Sequence, residues 1–312
     1  MSNKLRKMTL EKKHNLTGWA FLTPATFLIA VFSFWPMIKA LVLSFQTGKG
    51  RNMQMAGFTN YIRMFQDDVF IQSIKNTFFY FILQVPIMLV VALVLACILN
   101  KKDLRFKGFF RTMIFLPCTT SLVAYSIIFR SLFANNGLVN YVLVNIGILD
   151  KPYNFLTQPF AAKMVILLGL LWRWTGYNMV FFLSGLQNIE YSVYEAAKID
   201  GASAIQTFFK ITVPLLKPTI LLTAIMSTNG TLQLFDESVN LTDGGPANAS
   251  ISMSHYIYNL CFKYVPNFGY AAAMSFFILL LVAVLAFIQM RVGDKRDLSL
   301  IHISEPTRRS YI

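Results

Sequence analysis

Two apolar stretches of the chain carry polar and aromatic side chains of the kind that solvate a polyhydroxyl solute. The first holds Trp172, Arg173, Trp174, Tyr177 and Asn178; the second holds Asn229 and Gln233, with Gly230 beside them. Asn229 and Gln233 are four apart and so share one helix face, and Gly230 lets backbone approach closely. Amides give donors and acceptors to hydroxyls, and aromatic rings give a platform for the weakly apolar face of a sugar ring. At membrane depth such groups are costly unless they face a cavity or one another, which makes them functional candidates. A structural reading competes: Trp172 and Trp174 pack or anchor, Asn229 and Gln233 bond between helices, and Arg173 pairs with Asp236 or Glu237.

Residues for covalent chemistry are not assembled. No G-x-x-x-x-G-K-[ST] phosphate loop occurs, and the nearest run, Gly48-Lys49-Gly50-Arg51, lacks both the spacing and the hydroxyl. H-E-x-x-H and G-x-S-x-G are absent as well. Cys97, Cys118 and Cys261 fall in separate segments, which supports neither a disulfide framework nor a thiolate metal site. The expectation is a chain with no catalytic residues, no metal and no cofactor of its own.

The elements that position these residues follow from composition. Of 312 residues, 55% are hydrophobic and only 13% charged, with too few polar groups to cover a soluble core of this size. The bilayer is the expected solvent. Uncharged apolar runs long enough to cross it occupy residues 15–38, 78–98, 112–129 and 269–290. Two more are interrupted: 161–186 by Lys163 and Arg173, and 218–235 by a polar run from Ser227 to Gln233. The expected fold is an all-α membrane protein of six transmembrane helices, a single domain over residues 15–297 with a short N-terminal segment, 1–14.

A net charge of +14 would suggest nucleic acid in a soluble protein. Here the bases sort by side instead. Lys4, Arg6, Lys7, Lys12 and Lys13 precede the first span, and Lys101, Lys102, Arg105, Lys107 and Arg111 crowd the connection between the second and third. By the positive-inside rule both termini face the cytoplasm, the first span is retained as a helix, and His14 and His255 lie on opposite sides. Residues 298–312 are different in kind, because LSLIHISEPTR resembles a frame of a transposon-end adapter used in sequencing libraries. That tail is expected to be non-native, with the natural sequence departing after about Arg296.

The cytoplasmic connection at residues 187–214 reads as two short helices with a break. The first stops at Gly201, where a left-handed residue costs nothing, and Ser203 with Gln206 forms a capping box for the second. Physics alone leaves two readings open: a hairpin that docks into a cleft, or an amphipathic hairpin lying at the headgroup level.

The pattern E-A-A-x3-G-x9-I-x-V-P, carried by Glu195, Ala196, Ala197, Gly201, Ile211 and Pro214, resembles the EAA signature of binding-protein-dependent ABC importer permeases, with Val213 where the family usually has Leu. Further likeness lies in W-R-W-T-G-Y-N (172–178), L-Q-L-F-D-E (232–237), L-T-D-G-G-P (241–246) and F-G-Y-A-A-A-M-S (268–275), which look like the carbohydrate branch of maltose, glycerol-phosphate, lactose and raffinose importers. The resemblance implies a type I ABC importer permease fold in the bacterial or archaeal cytoplasmic (inner) membrane. It also implies a second homologous permease subunit, two ATPase subunits that use ATP and Mg, and an extracellular sugar-binding protein. In such an importer the hairpin couples to the ATPase, and Trp174, Tyr177, Asn229, Gly230 and Gln233 align with substrate-contacting positions. A permease for a non-sugar solute and a scaffold or channel needing no ATPase are the rival expectations.

Overall fold

The computed structural model describes residues 10–49, 52–101 and 103–294. Residues 1–9 of the basic leading segment and the expected tail at 298–312 lie outside the described residues. The first span is one helical run: α1 (Leu10–Ile29) passes through a single wide turn into α2 (Trp35–Ser44). None of its most apolar window is buried within this chain. A short antiparallel hairpin follows, β1 (Gln46–Lys49) and β2 (Asn52–Met55), with Gln46 opposite Met55. Next comes α3 (Thr59–Met64), whose Asn60 amide donates to the carbonyls of Ser44 and Gln46 at 2.9 and 2.7 Å and so satisfies the end of α2.

The second span, α4 (Asp68–Asn100), is anchored by its cap. One oxygen of Asp67 accepts from the backbone N–H groups of Val69 and Phe70, and the other from the hydroxyls of Tyr256 and Tyr270 at 2.7 and 2.8 Å. Burial alone would raise the Asp67 pKa, yet these four donors outweigh it and hold the carboxyl below its usual range.

The expected third span at 112–129 is not one continuous helix. It divides into α5 (Lys107–Thr119) and α6 (Leu122–Leu132), bent by 98°. Pro117 removes a donor, Thr120 is extended, and the hydroxyls of Thr119 and Thr120 bond back to the carbonyls of Leu116 and Pro117 at 2.8 and 2.7 Å. A short α7 (Leu138–Asn145) leads to α8 (Pro159–Gln187), the spine of the bundle, which packs along α4 through Met179, Phe182 and Leu186.

The chain then folds through the hairpin helices α9 (Tyr191–Ile199) and α10 (Ala204–Thr207), and α11 (Val213–Leu215), before α12 (Lys217–Leu232) turns 70° away. The fifth span therefore ends as helix at Leu232, and Gln233 is its cap rather than an interior residue. α13 (Met253–Tyr258) and the long α14 (Phe268–Asp294) complete the fold. Among the described residues, four helices are long and apolar enough to cross a membrane, and up to six segments are if each bent pair is one span.

The connection before α13 buries His255 completely beneath the 241–246 turn. Its Nδ1 lies 2.9 Å from Ser238 Oγ, and its Nε2 is 3.5 Å from Asp243 Oδ1, the same oxygen that accepts from Lys263 at 2.6 Å. Burial pushes the His255 pKa down from 6.5 to about 4, although Asp243 pulls it the other way. The unfolded chain binds a proton near 6.5 and the folded one only near 4, so stability present at neutral pH is lost as pH falls through that window. The slope from this one group is at most about 1.4 kcal/mol per pH unit. The thermal unfolding midpoint in detergent is expected to fall between pH 6.5 and 4. The fall should be shallower in His255→Gln, and identical profiles would remove His255 as its cause.

Candidate functional site

α4, α8, α12 and residues 234–237 enclose a cavity of about 310 Å³. α8 contributes Trp174, Tyr177 and Asn178, three residues whose spacing of three and four places them on one helix stripe. The Trp174 and Tyr177 rings meet edge to face at 5.8 Å, leaving an aromatic wall. From α12 come Ser227, Gly230, Thr231 and the cap residue Gln233. A methyl group at Gly230 would meet nothing within 4 Å, so the bare backbone here adds open volume instead of relieving a clash.

The polar lining is held in register by bonds between helices and along α8. Thr231 donates to Gln84 Oε1 of α4 at 2.6 Å, Ser227 donates to Asn178 Oδ1 at 3.3 Å, and the Asn178 amide donates to the Trp174 carbonyl at 3.1 Å. Buried polar groups in such a network keep fixed directions, as a site for hydroxyl groups requires.

Of the residues singled out in the two polar stretches, Trp174, Tyr177, Asn178, Gly230 and Gln233 come together in this cavity. Asn229 does not. It lines a separate cleft with Ser254, Ile257 and Ser275, although its Oδ1 accepts a bond from Gln233. Arg173 is also elsewhere, buried to 6% exposure. Its guanidinium donates to the carbonyls of Thr120 and Cys118 at 2.9 and 3.4 Å, at the break between α5 and α6, and sits over the rings of Tyr125 and Trp174. The expected pairing with Asp236 or Glu237 is thus replaced by carbonyls that the broken helix leaves open. Trp172 packs against Tyr125 and Phe129.

Sequence reasoning missed Gln84 and Thr231. Gln84 had a signal: it is the one amide within the apolar run 78–98, and it is 3% exposed. Thr231 had none, because a threonine at membrane depth ordinarily bonds its own helix, as Thr228 does.

In the hairpin, Gly201 takes φ +77°, and the N–H of Ala202 bonds back to the Ala197 carbonyl at 2.9 Å, closing α9. The Ser203 hydroxyl accepts from the Gln206 N–H at 3.3 Å while the Gln206 side chain accepts from the Ser203 N–H at 2.9 Å, which is the capping box read from sequence. Ala197 is buried and Ile211 half-buried, whereas Glu195, Ala196, Gly201 and Pro214 are exposed. Beside Glu195 the hairpin presents Ile199, Ile205 and Phe209, each more than 60% exposed.

Residues 66–296 match the family model described as binding-protein-dependent transport system inner membrane component. The chain belongs to this family. It is therefore a multi-pass inner-membrane permease and a transport component. The permease is 51% identical over 292 residues to the lactose transport system permease protein LacF of Rhizobium radiobacter, covering 93% of this chain and 98% of that one. It is 31% identical to the arabinooligosaccharides transport system permease protein AraP of Halalkalibacterium halodurans, over 91% of this chain and 90% of the relative. It is 30% identical to the sn-glycerol-3-phosphate transport system permease protein UgpA of Agrobacterium fabrum, over 91% and 96%. A solved structure of a bacterial alginate ABC transporter, in complex with its pentasaccharide-bound periplasmic protein, superposes with a TM-score of 0.80 at 25% identity, over 91% of this chain and 96% of that one.

Proposed function

We propose that this permease is one of two unlike membrane subunits of an ATP-driven importer that moves a saccharide delivered by an extracellular binding protein. The observation that carries the reading is the cavity itself, in which the edge-to-face Trp174–Tyr177 pair and the Asn178 amide of α8 share the lining with the Gln233 amide at the end of α12. The lactose and arabinooligosaccharide relatives support the same solute class. A channel or scaffold acting without an ATPase is not favoured by membership of a binding-protein-dependent family.

In this reading both termini and the hairpin face the cytoplasm, and the hairpin's exposed Glu195, Ile199, Ile205 and Phe209 seat in a separate ATPase subunit. Closure of the ATPase pair on ATP pulls the hairpin about Gly201. The pull reaches α8 directly and α12 through the bend at Leu216, the two helices that carry most of the cavity wall. ATP and Mg are used by the ATPase pair, and this chain contributes no catalytic group and no cofactor site. Substrate-contacting roles fall to Trp174, Tyr177, Asn178, Gly230 and Gln233, a coupling role to the hairpin, and a role in holding the broken third span to Arg173.

The test is uptake into inside-loaded proteoliposomes carrying the assembled importer. Uptake of labelled lactose or an arabinooligosaccharide is expected only with ATP inside and binding protein outside, and crosslinks from Ile205→Cys are expected to reach the ATPase. Flux without ATP, or crosslinks only to lipid, would sink the reading.

A further inference from the structure

A second cavity, of about 710 Å³, lies away from the solute cavity, where the ends of α4 and α8 meet the start of α9. Leu104, Leu186 and Ile189 give it an apolar lining, while Asn100, Lys101 and Tyr194 bring polar groups. Tyr194 also ties it to the return of the hairpin, its hydroxyl lying 3.4 Å from Thr212 Oγ1. The one acid in the lining is Asp103, and the surrounding sequence, 100–111, sets five bases against it. Glu190 of the hairpin opens onto a different cleft, with Val193 and Thr219. Lys101 and Arg105 are exposed, and among the described residues neither enters an ion pair. Arg111 is placed otherwise: its guanidinium donates to the Leu99 carbonyl at 3.1 Å and so closes the end of α4.

Phe106, beside these bases, is independent evidence of an outside partner. It starts α5 at φ 58°, the left-handed region that a bulky side chain ordinarily avoids, and it is 77% exposed with no side-chain hydrogen bond at the cap to offset the strain. Phe109 and Phe110, edge to face at 5.8 Å, are exposed too, and Met113 and Leu116 continue the same exposed stripe along α5. The rings thus run without a break from the basic connection into the apolar body of a membrane segment. Rings at that level enter the headgroup boundary, and a basic pocket between helix ends takes an anionic headgroup. A soluble subunit seated on the connection would leave the stripe beyond it uncovered.

We propose that this cavity and the adjoining α5 stripe bind an anionic phospholipid of the leaflet on the hairpin's side, with its phosphate at Lys101 and Arg105 and its chains along Phe106, Phe109 and Phe110. In the orientation proposed above that leaflet is the cytoplasmic one; the nature of the solute does not enter. Tyr194 belongs to α9, so an occupied site braces the base of the hairpin against the end of α4.

The assembled importer is placed in lipid discs that carry a photoactivatable phosphatidylglycerol or the matching phosphatidylcholine, and labelled peptides are mapped by mass spectrometry. Phosphatidylglycerol is expected to label the stretch 97–113 at least fivefold more than phosphatidylcholine does. Lys101→Gln combined with Arg105→Gln should remove most of that excess. Phe106→Gly relieves the left-handed strain and removes the ring together, so labelling should fall at least twofold while the thermal midpoint holds. Lys151→Gln, in the loop before α8, should leave labelling unchanged. Equal labelling by the two lipids, or an excess untouched in the double variant, would overturn the lipid site. Loss of the excess on adding inorganic phosphate would assign the bases to a soluble anion, and crosslinking of Arg105→Cys to the ATPase in place of lipid would assign them to that subunit; either overturns the site as well. Labelling is read without transport, so a labelled importer that takes up no sugar would sink the saccharide reading alone.

Discussion

Gly201→Val is expected to cut ATP-driven uptake at least tenfold while the protein inserts at its normal level. At φ +77° a β-branched residue is strongly disfavoured, and the left-handed conformation costs an ordinary L-residue about 1–2 kcal/mol. A Cβ at this position meets nothing within 4 Å, so the substitution creates no clash in the core. The strain is relieved where it arises, by swinging α9 relative to α10 and so misplacing Glu195 against Ile205. ATPase activity of the assembled importer should persist without matching uptake. Glu195→Lys reverses the charge of an exposed residue and should uncouple in the same way, without touching the backbone. Normal uptake in both variants would mean that the hairpin is not the lever.

The second large effect is expected at Gly176. A Cβ there would clash with the Ile114 carbonyl oxygen and stand 2.7 Å from its carbon, so α5 and α8 touch backbone to backbone. Neither partner is a flexible side chain that can swing aside. Overpacking a core costs about 1–3 kcal/mol where side chains can adjust, and here a whole helix must move. Gly176→Val should lower the thermal midpoint in detergent by several degrees or prevent recovery of folded protein. It should also abolish uptake, because Tyr177 and Asn178 move with it. Gly230→Ala is the matched control: with open space around it, the midpoint should hold while the cavity loses volume. Equal midpoints for the two glycine variants would show that the α5–α8 contact yields more readily than this geometry allows.

Much of the fold was legible because hydrocarbon thickness sets span length. The apolar runs at 78–98, 161–186 and 269–290 fall inside α4, α8 and α14. The hairpin was legible at the level of single hydrogen bonds, since a helix stop at Gly201 and a Ser203–Gln206 box depend on local chemistry alone. The 98° break in the third segment was not read, because hydropathy stays high on both sides of it. The adjacent hydroxyls of Thr119, Thr120 and Ser121 were the local sign, yet a helix can absorb such residues by bonding them to its own carbonyls. That missed break also explains Arg173. Its partners are carbonyls freed by the bend, and a reading without the bend could offer it only the acids at 236 and 237. Asn229 was grouped with Gln233 by correct helical arithmetic, but periodicity says which residues share a face and not which neighbour that face meets.

The seating of α12 between two clefts has one more consequence. Asn229 opens onto the cleft beside α14 and Gly230 onto the main cavity, with Gln233 reaching both. Adjacent residues are about 100° apart around a helix axis. A roll of that size would exchange bare backbone for an amide in the cavity wall, and the Thr231–Gln84 and Gln289–Thr228 bonds to α4 and α14 oppose it.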